Sequence, residues 1–110
     1  MRFWDLPAME VAPHHPEVLH SAPEGRAIAI ALPAGEALGD HQVHEAAWLV
    51  VASGRVALRA AAGDEREAGA GSLASFDPAE RHEVRALEDS RLLLLLTPWP
   101  APERTPGVDA

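Results

Sequence analysis

Histidine is the residue type in this chain with the most potential for chemistry, because six imidazoles occur among 110 residues. A neutral imidazole can ligate a metal ion, and near neutral pH it can also accept or donate a proton. Three of the six lie in a proline-rich stretch near the N-terminus: His14, His15 and His20. The other three lie in or beside predicted strands: His41, His44 and His82. We expect the first three to be solvated or capping side chains, and the second three to be the candidates for a site.

His82 begins a segment in which apolar and charged residues alternate. Residues two apart in a strand share a face, so His82 shares its face with Val84 and Ala86. The charged Glu83 and Arg85 lie on the other face, which we interpret as solvated. The pattern predicts an inward histidine, and a buried imidazole needs a hydrogen-bond partner or a metal ion.

His41 and His44 are three residues apart, so in a regular strand they lie on opposite faces. A β-bulge between Val43 and Ala46 would bring His44 to the face of His41, and bulges are common beside active sites. Glu45 shares the face of His41 and supplies a carboxylate. Such a carboxylate can act as a further metal ligand or as a general base.

Composition excludes several other kinds of chemistry. The chain has no cysteine, which excludes disulfide scaffolds, thiolate nucleophiles and cysteine zinc sites. All nine basic residues are arginine, so no lysine is present to form a Schiff base. The net charge of -8 argues against nucleic acid and anionic membrane as partners, since both require a basic face.

The segments that must position these histidines are predicted to be strands separated by turns. The strand candidates are residues 26–32, 47–52, 56–59, 73–76, 82–86 and 92–96. Turns are predicted at residues 63–65, 69–72 and 77–78, from their glycine, aspartate and proline content. Short strands with turns roughly every 8–12 residues are typical of a β-sandwich or barrel. Residues 92–96 have no polar side, as expected of a strand buried on both faces.

Two segments resemble the sequence motifs of the cupin family. Residues 35–41, followed thirteen positions later by Gly54, resemble the first motif, which runs from a glycine through His-x-His and a glutamate to a second glycine. Residues 71–73 and 76–82 resemble the second motif, which ends in Pro-x-Gly-x-x-His. The resemblance covers residues 28–97 and implies an all-β fold, a jelly-roll barrel of two facing antiparallel sheets.

The resemblance also implies a metal site, which this chain matches in part. The first and third histidines of the family fall on His41 and His82, whereas its second histidine falls on Val43. Its glutamate falls on Ala47, and neither an alanine nor a valine can coordinate a metal.

The nearby substitutes for the two missing ligands are His44 and Glu45. A site of this kind suits a divalent first-row transition metal such as Fe, Mn, Ni, Cu or Zn. Because metal binding requires neutral imidazole, its affinity is expected to fall as pH drops through ~6.5.

We predict a single domain, in which residues 1–24 form an arm on the barrel or on a partner subunit. Residues 25–97 form the barrel, and residues 98–110 form a C-terminal tail. The apolar arm and the apolar strand at 92–96 predict a homodimer. No segment resembles a membrane span or an export signal, so a cytoplasmic location is expected.

Three functional interpretations stay open, and with them whether the protein is an enzyme. One is a metal-binding cupin that acts on a small molecule inside the barrel as an oxygenase, isomerase or lyase. Another is a metal-free barrel that binds or senses a small molecule, in which His41 and His82 bond to each other, to water or to Glu45. A structural dimer without a ligand is a third possibility.

Overall fold

Nine β-strands account for most of the structure. The computed structural model describes residues 1–41, 45–60 and 63–98, with the backbone alone at residues 39–41. A short 3-10 helix at Leu6–Ala8 precedes the strands, which are β1 (Glu17–Ala22), β2 (Gly25–Leu32), β3 (Ala37–His41), β4 (Ala46–Ser53), β5 (Arg55–Ala60), β6 (Glu65–Gly69), β7 (Leu73–Phe76), β8 (His82–Ala86) and β9 (Ser90–Thr97). Within the described residues, no helix has the length and apolarity needed to cross a membrane.

The strands form two antiparallel sheets that face each other. The order in the larger sheet is β1-β2-β9-β4-β7, and the order in the smaller one is β3-β8-β5-β6. One core joins the two sheets, with Val51 and Leu92 from the first packed in the same cluster as Val56 and Val84 from the second. The predicted all-β architecture of two facing sheets is therefore confirmed.

Strand β8 shows how the alternation of residue types sets the inner and outer faces. His82, Val84 and Ala86 are buried, as predicted. On the outer face, Glu83 accepts a hydrogen bond from Arg59 at 2.9 Å. Cross-strand ion pairs of this kind are typical of a solvated sheet face.

Strand β9 lies at the centre of the larger sheet and is covered on both sides. Leu92 and Leu96 are buried in the core, and Leu93 and Leu95 are half-buried on the outer face. The 3-10 helix of the N-terminal segment packs against β9 and β4. The segment is fastened there by Arg91, whose Nη1 donates to the carbonyl oxygens of Leu6 and Met9 at 2.6 Å each.

Leu73 is an apolar residue of the predicted strand 73–76, so the sequence predicts that it is buried in the core, and this prediction is wrong. The residue is 60% exposed, because Ala74 and Phe76 occupy the inner face of β7. Leu73 therefore lies on the outer face, where it is the register partner of Val50. Hydrophobicity identified the strand but not the face, which the register of an edge strand decides.

The burial of Leu92 leads to a prediction about stability. Its side chain is 0% exposed, so we expect Leu92→Ala to lower the free energy of unfolding by ~2–5 kcal/mol through lost contacts and a residual cavity. The matched control Leu87→Ala, at an exposed position, should change it by less than ~0.5 kcal/mol. Urea denaturation measures both, and equal effects of the two substitutions would contradict the assignment of β9 as the central strand.

Candidate functional site

His82 is a buried histidine whose ring orientation is held by the backbone. The residue is 5% exposed, and its Nδ1 lies 3.1 Å from the carbonyl oxygen of Glu80. A carbonyl oxygen can only accept, so Nδ1 is the protonated nitrogen in this contact. In the neutral ring, Nε2 then carries the lone pair, which is the tautomer that a metal-ligating histidine needs.

A second contact fixes the plane of the same ring. Phe76, at the end of β7, stacks on His82 with ring centroids 4.0 Å apart and an angle of 10° between the planes. Phe76 is itself buried, so the stack joins the two sheets at this end of the barrel. The imidazole is therefore preorganised, because both its tautomer and its plane are set by neighbours.

The two predicted histidine strands lie side by side. His41 is the register partner of His82 across β3 and β8. The register of this pair shifts between Leu38 and His41, so an irregularity precedes His41 in the chain. The bulge expected at residues 43–46, together with His44 and Val43, falls largely outside the described residues.

Glu45 immediately precedes β4 and is engaged in an ion pair. Its Oε2 lies 3.2 Å from Nη2 of Arg26 in β2, and both side chains are partly exposed. Ala47, which replaces the ligating glutamate of the family motif, is buried as the register partner of Phe76 and Leu96. Among the described residues, no group of three or more His, Asp or Glu side chains is arranged to hold a metal ion.

The interior between the sheets is filled by side chains in the part of the chain that the structure describes. The cavity beside His82 has a volume of about 20 Å³, with walls formed by Leu38, Leu49, Phe76, Leu94 and Leu96 among others. A volume of that size holds roughly one water molecule. The space between Leu49 and Leu94 is therefore too small for a small-molecule ligand, which would have to bind elsewhere.

A larger cavity opens between the edge strands β6 and β7, beside the stacked rings. Its volume is about 220 Å³, and its walls include Leu58, Ala60, Phe76, Asp64, Arg66 and Glu80. Ala60 is the register partner of His82, and Phe76 contacts the imidazole directly. We call this space the lateral cavity, and it lies at the same end of the barrel as His82.

The three histidines of the N-terminal segment are partly or largely exposed and have local contacts. His14 Nε2 lies 3.2 Å from Glu36, and His20 Nε2 lies 3.3 Å from Glu24. Hydrogen bonds from its own backbone and from His20 lower the pKa of the Glu24 carboxyl. His15 is exposed. Their contacts are those of surface histidines.

The family follows from a comparison of the sequence with protein-family models. Residues 29–98, more than half of the chain, match the model described as the cupin domain. The chain belongs to the cupin family. No curated protein matches the sequence of this cupin.

Solved structures of other cupins share the fold. An RmlC-like cupin from Desulfovibrio desulfuricans has a TM-score of 0.78 at 20% identity, over 89% of this chain and 97% of that chain. A cupin superfamily protein from Desulfitobacterium hafniense has a TM-score of 0.78 at 9% identity, over 89% and 92%. An RmlC-like cupin with a double-stranded β-helix fold from Methanocaldococcus jannaschii has a TM-score of 0.69 at 15% identity, over 76% and 78%. At these identities the likeness shows the fold alone.

Two residues of this cupin site were not identified from the sequence. Phe76 could have been found, since it lies inward on the strand that leads to the second motif and precedes His82 by six positions. Arg26 had no such signal, because its contact with Glu45 depends on how β2 and β4 flank β9 in the sheet.

Proposed function

We propose that this cupin binds a divalent first-row transition metal and acts on a small molecule held beside it. The proposed ligands are His41, His82 and His44, with Glu45 as the catalytic carboxylate. The observation that carries the proposal is the state of His82, a buried imidazole with Nδ1 bonded to a carbonyl and its ring stacked on Phe76. The fold sets the direction of the Nε2 lone pair in such an imidazole. Metal-ligating histidines are oriented in the same way, by a hydrogen bond from the other ring nitrogen.

The donor set suits the metals named above. Imidazole nitrogen is a good ligand for Zn, Cu, Ni and Fe, and a site with three histidines leaves coordination positions for a substrate. The register pairing of His41 with His82 supports the first two ligands. When bound, such a metal supplies Lewis acidity or activation of a ligand at its open positions. The cupin fold itself admits oxygenase, isomerase and lyase chemistry.

Glu45 is proposed to hold and move a proton rather than to ligate the metal. Its contact with Arg26 uses Oε2 and anchors the carboxylate at the start of β4. The other oxygen, Oε1, would then accept a proton from a substrate, as a general base does. Arg26 therefore acts as a positioning residue, because its ion pair orients the carboxylate of Glu45.

The lateral cavity is the proposed substrate position. Its volume of about 220 Å³ suits a small metabolite, whereas the interior cavity of about 20 Å³ does not. Phe76 lines this cavity and stacks on the imidazole of His82, so a molecule bound in the lateral cavity would lie near this proposed ligand.

A metal-free, ligand-binding barrel is the second candidate, and a specific observation favours it. Ala47 occupies the position of the family glutamate and is 1% exposed, packed among apolar partners. A chain that had lost its metal would show such a replacement, and the lateral cavity would still accept a small molecule. A rise in melting temperature on adding a ligand to protein stripped of metal would favour this second function.

The test of the proposed function is a titration of tag-free protein with Co²⁺, followed by visible absorption of the bound ion. We expect saturable absorption, with affinity reduced by at least ~10-fold in His44→Ala and unchanged in the control His15→Ala. Unchanged affinity in His44→Ala would show that His44 is not a ligand, and the absence of any bound Co²⁺ in the unaltered protein would overturn the metal proposal.

We also propose that the protein is a homodimer formed through the outer face of the larger sheet. Trp48 and Leu73 on this face are 40% and 60% exposed, and Phe3 in the N-terminal segment is exposed as well. Apolar groups gathered on one face are typical of an interface, and a two-fold dimer would cover both copies at once.

Sedimentation equilibrium at micromolar concentration should therefore give about twice the chain mass of 11.7 kDa. Leu73→Glu, or removal of residues 1–11, should shift the mass towards the monomer. The control Leu87→Glu, at another exposed leucine, should not. A folded and soluble monomer in the unaltered protein would contradict the proposed interface.

A further inference from the structure

A second cavity lies at the opposite end of the barrel from His82. Its volume is about 290 Å³, and its walls include Pro13, Leu32, Pro33, Ser53, Asp89 and Arg91. It lies where β2 and β4 end and β9 begins, whereas His82 lies near the start of β4. The length of β4, at ~3.3 Å per residue, separates the two ends by about 20 Å. We call it the Arg91 cavity.

The guanidinium of Arg91 has incomplete partners in this cavity. Its Nη1 donates to the two carbonyl oxygens of the N-terminal segment, but its Nε is buried and has no acceptor within the described residues. Nor does Arg91 form an ion pair with a carboxylate there, although four other arginines do: Arg26, Arg55, Arg59 and Arg66. A half-buried cation without an ion pair, and a buried donor without an acceptor, are both unfavourable.

The geometry of a guanidinium indicates what would complete it. Nε and Nη2 form one edge of the planar group, and a carboxylate binds that edge with two parallel hydrogen bonds. The N-terminal segment uses only Nη1, and Nε, on the other edge, is the buried donor that has no acceptor in the described part of the chain. A carboxylate would provide both the missing charge and the missing acceptor.

Asp89 adds an acidic group to the wall of the same cavity. Its Oδ1 accepts the backbone N–H of Ala34 at 2.8 Å, which fixes an acidic group in the wall. A simple anion would be repelled by this group, whereas a ligand that also carries a hydrogen-bond donor would bind to it. The hydroxyl of Ser53 adds a polar contact, and Pro13 and Pro33 add an apolar wall.

We propose that the Arg91 cavity binds a small carboxylate that also bears a hydrogen-bond donor, such as a hydroxy acid or an amino acid. The carboxylate pairs with Arg91 and the hydroxyl or ammonium group pairs with Asp89. Since Pro13 and the carbonyl partners of Arg91 belong to the N-terminal segment, the bound ligand also holds that segment against the sheet. The site is independent of the proposed metal site.

The test is a titration of the full chain with L-lactate and L-alanine, followed by the NMR signal of Arg91 Nε–H, with lactamide as the neutral probe. We expect saturable binding of at least one carboxylate with a Kd of ~1 mM, and at least ~10-fold weaker binding of lactamide. Preference for alanine identifies an ammonium partner for Asp89, and preference for lactate a hydroxyl partner.

Two variants separate binding from folding. Arg91→Gln should weaken the binding at least ~10-fold, but it also removes the contacts with Leu6 and Met9. Ser53→Asp leaves those contacts in place and opposes the ligand carboxylate with a second negative charge, so it should weaken binding to a similar extent. The control Arg59→Gln, in the other sheet, should bind as the unaltered protein does. Binding that is absent from the unaltered protein, equal for lactamide, or unchanged in Ser53→Asp would overturn the proposal.

Discussion

Gly54→Ala is expected to lower the free energy of unfolding by at least ~3 kcal/mol, above the cost of the same change at Gly63. Both glycines have positive φ, +87° at Gly54 and +85° at Gly63, which costs an alanine ~1–2 kcal/mol. At Gly54, however, the added Cβ would overlap the carbonyl oxygen of Asp89 and the hydroxyl of Ser90. Overpacking of this kind adds ~1–3 kcal/mol.

The neighbour that Gly54→Ala would displace is itself part of a hydrogen-bond network. The Ser90 hydroxyl accepts from the N–H of Arg55 and donates towards the carbonyl oxygens of Glu88 and Arg55. Losing these bonds in a buried place adds to the cost.

At Gly63, nothing lies within 4 Å of the added Cβ, so Gly63→Ala is the matched control and should cost only ~1–2 kcal/mol. Thermal and urea denaturation measure both variants. Similar losses for the two would show that backbone conformation, and not the close approach of Asp89 and Ser90, makes Gly54 necessary.

His82→Ala is expected to abolish metal binding, with affinity reduced by at least ~100-fold. The substitution removes the ligand whose tautomer and plane are set by Glu80 and Phe76. The measurement is equilibrium dialysis against Zn²⁺ or Co²⁺, with circular dichroism to verify the fold.

Because His82 is buried, a loss of stability could imitate a loss of the ligand. Phe76→Leu provides the control, since it removes the ring stack and keeps all the proposed ligands. We expect this variant to be less stable but still to bind the metal within ~10-fold of the unaltered protein. If Phe76→Leu loses the metal as completely as His82→Ala does, packing and not coordination explains the effect.

The fold could be predicted from the sequence where strands are half-buried or central. The period of two placed His82, Val84 and Ala86 on the inner face, and the leucine run placed β9 in the core. The pattern was weaker at the edges of the sheets. Strands β1 and β6 have few buried residues, so their sequences lack the alternation that identifies a strand. Residues 17–22 were for this reason assigned to the N-terminal arm, whose prolines also disfavour a strand. In the structure they form the edge strand β1, which pairs with β2.

The candidate site could be predicted only as far as motif spacing reaches. The resemblance to the cupin motifs identified His41 and His82 as candidates, and the register of β3 and β8 pairs the two residues. Spacing could not predict that Arg26 pairs with Glu45, or that side chains fill the interior beside His82. Those features depend on which strands are neighbours across a sheet and on the summed volumes of residues far apart in the chain.

The most direct test of the metal proposal is the metal content of the protein purified without a histidine tag. The protein would be stripped with a chelator, loaded with a mixture of first-row divalent ions, dialysed and measured by elemental analysis. We expect about one transition-metal ion per chain, since three imidazoles at one centre would bind such ions tightly. Less than about 0.1 ion per chain after loading would contradict it and would favour the metal-free, ligand-binding barrel.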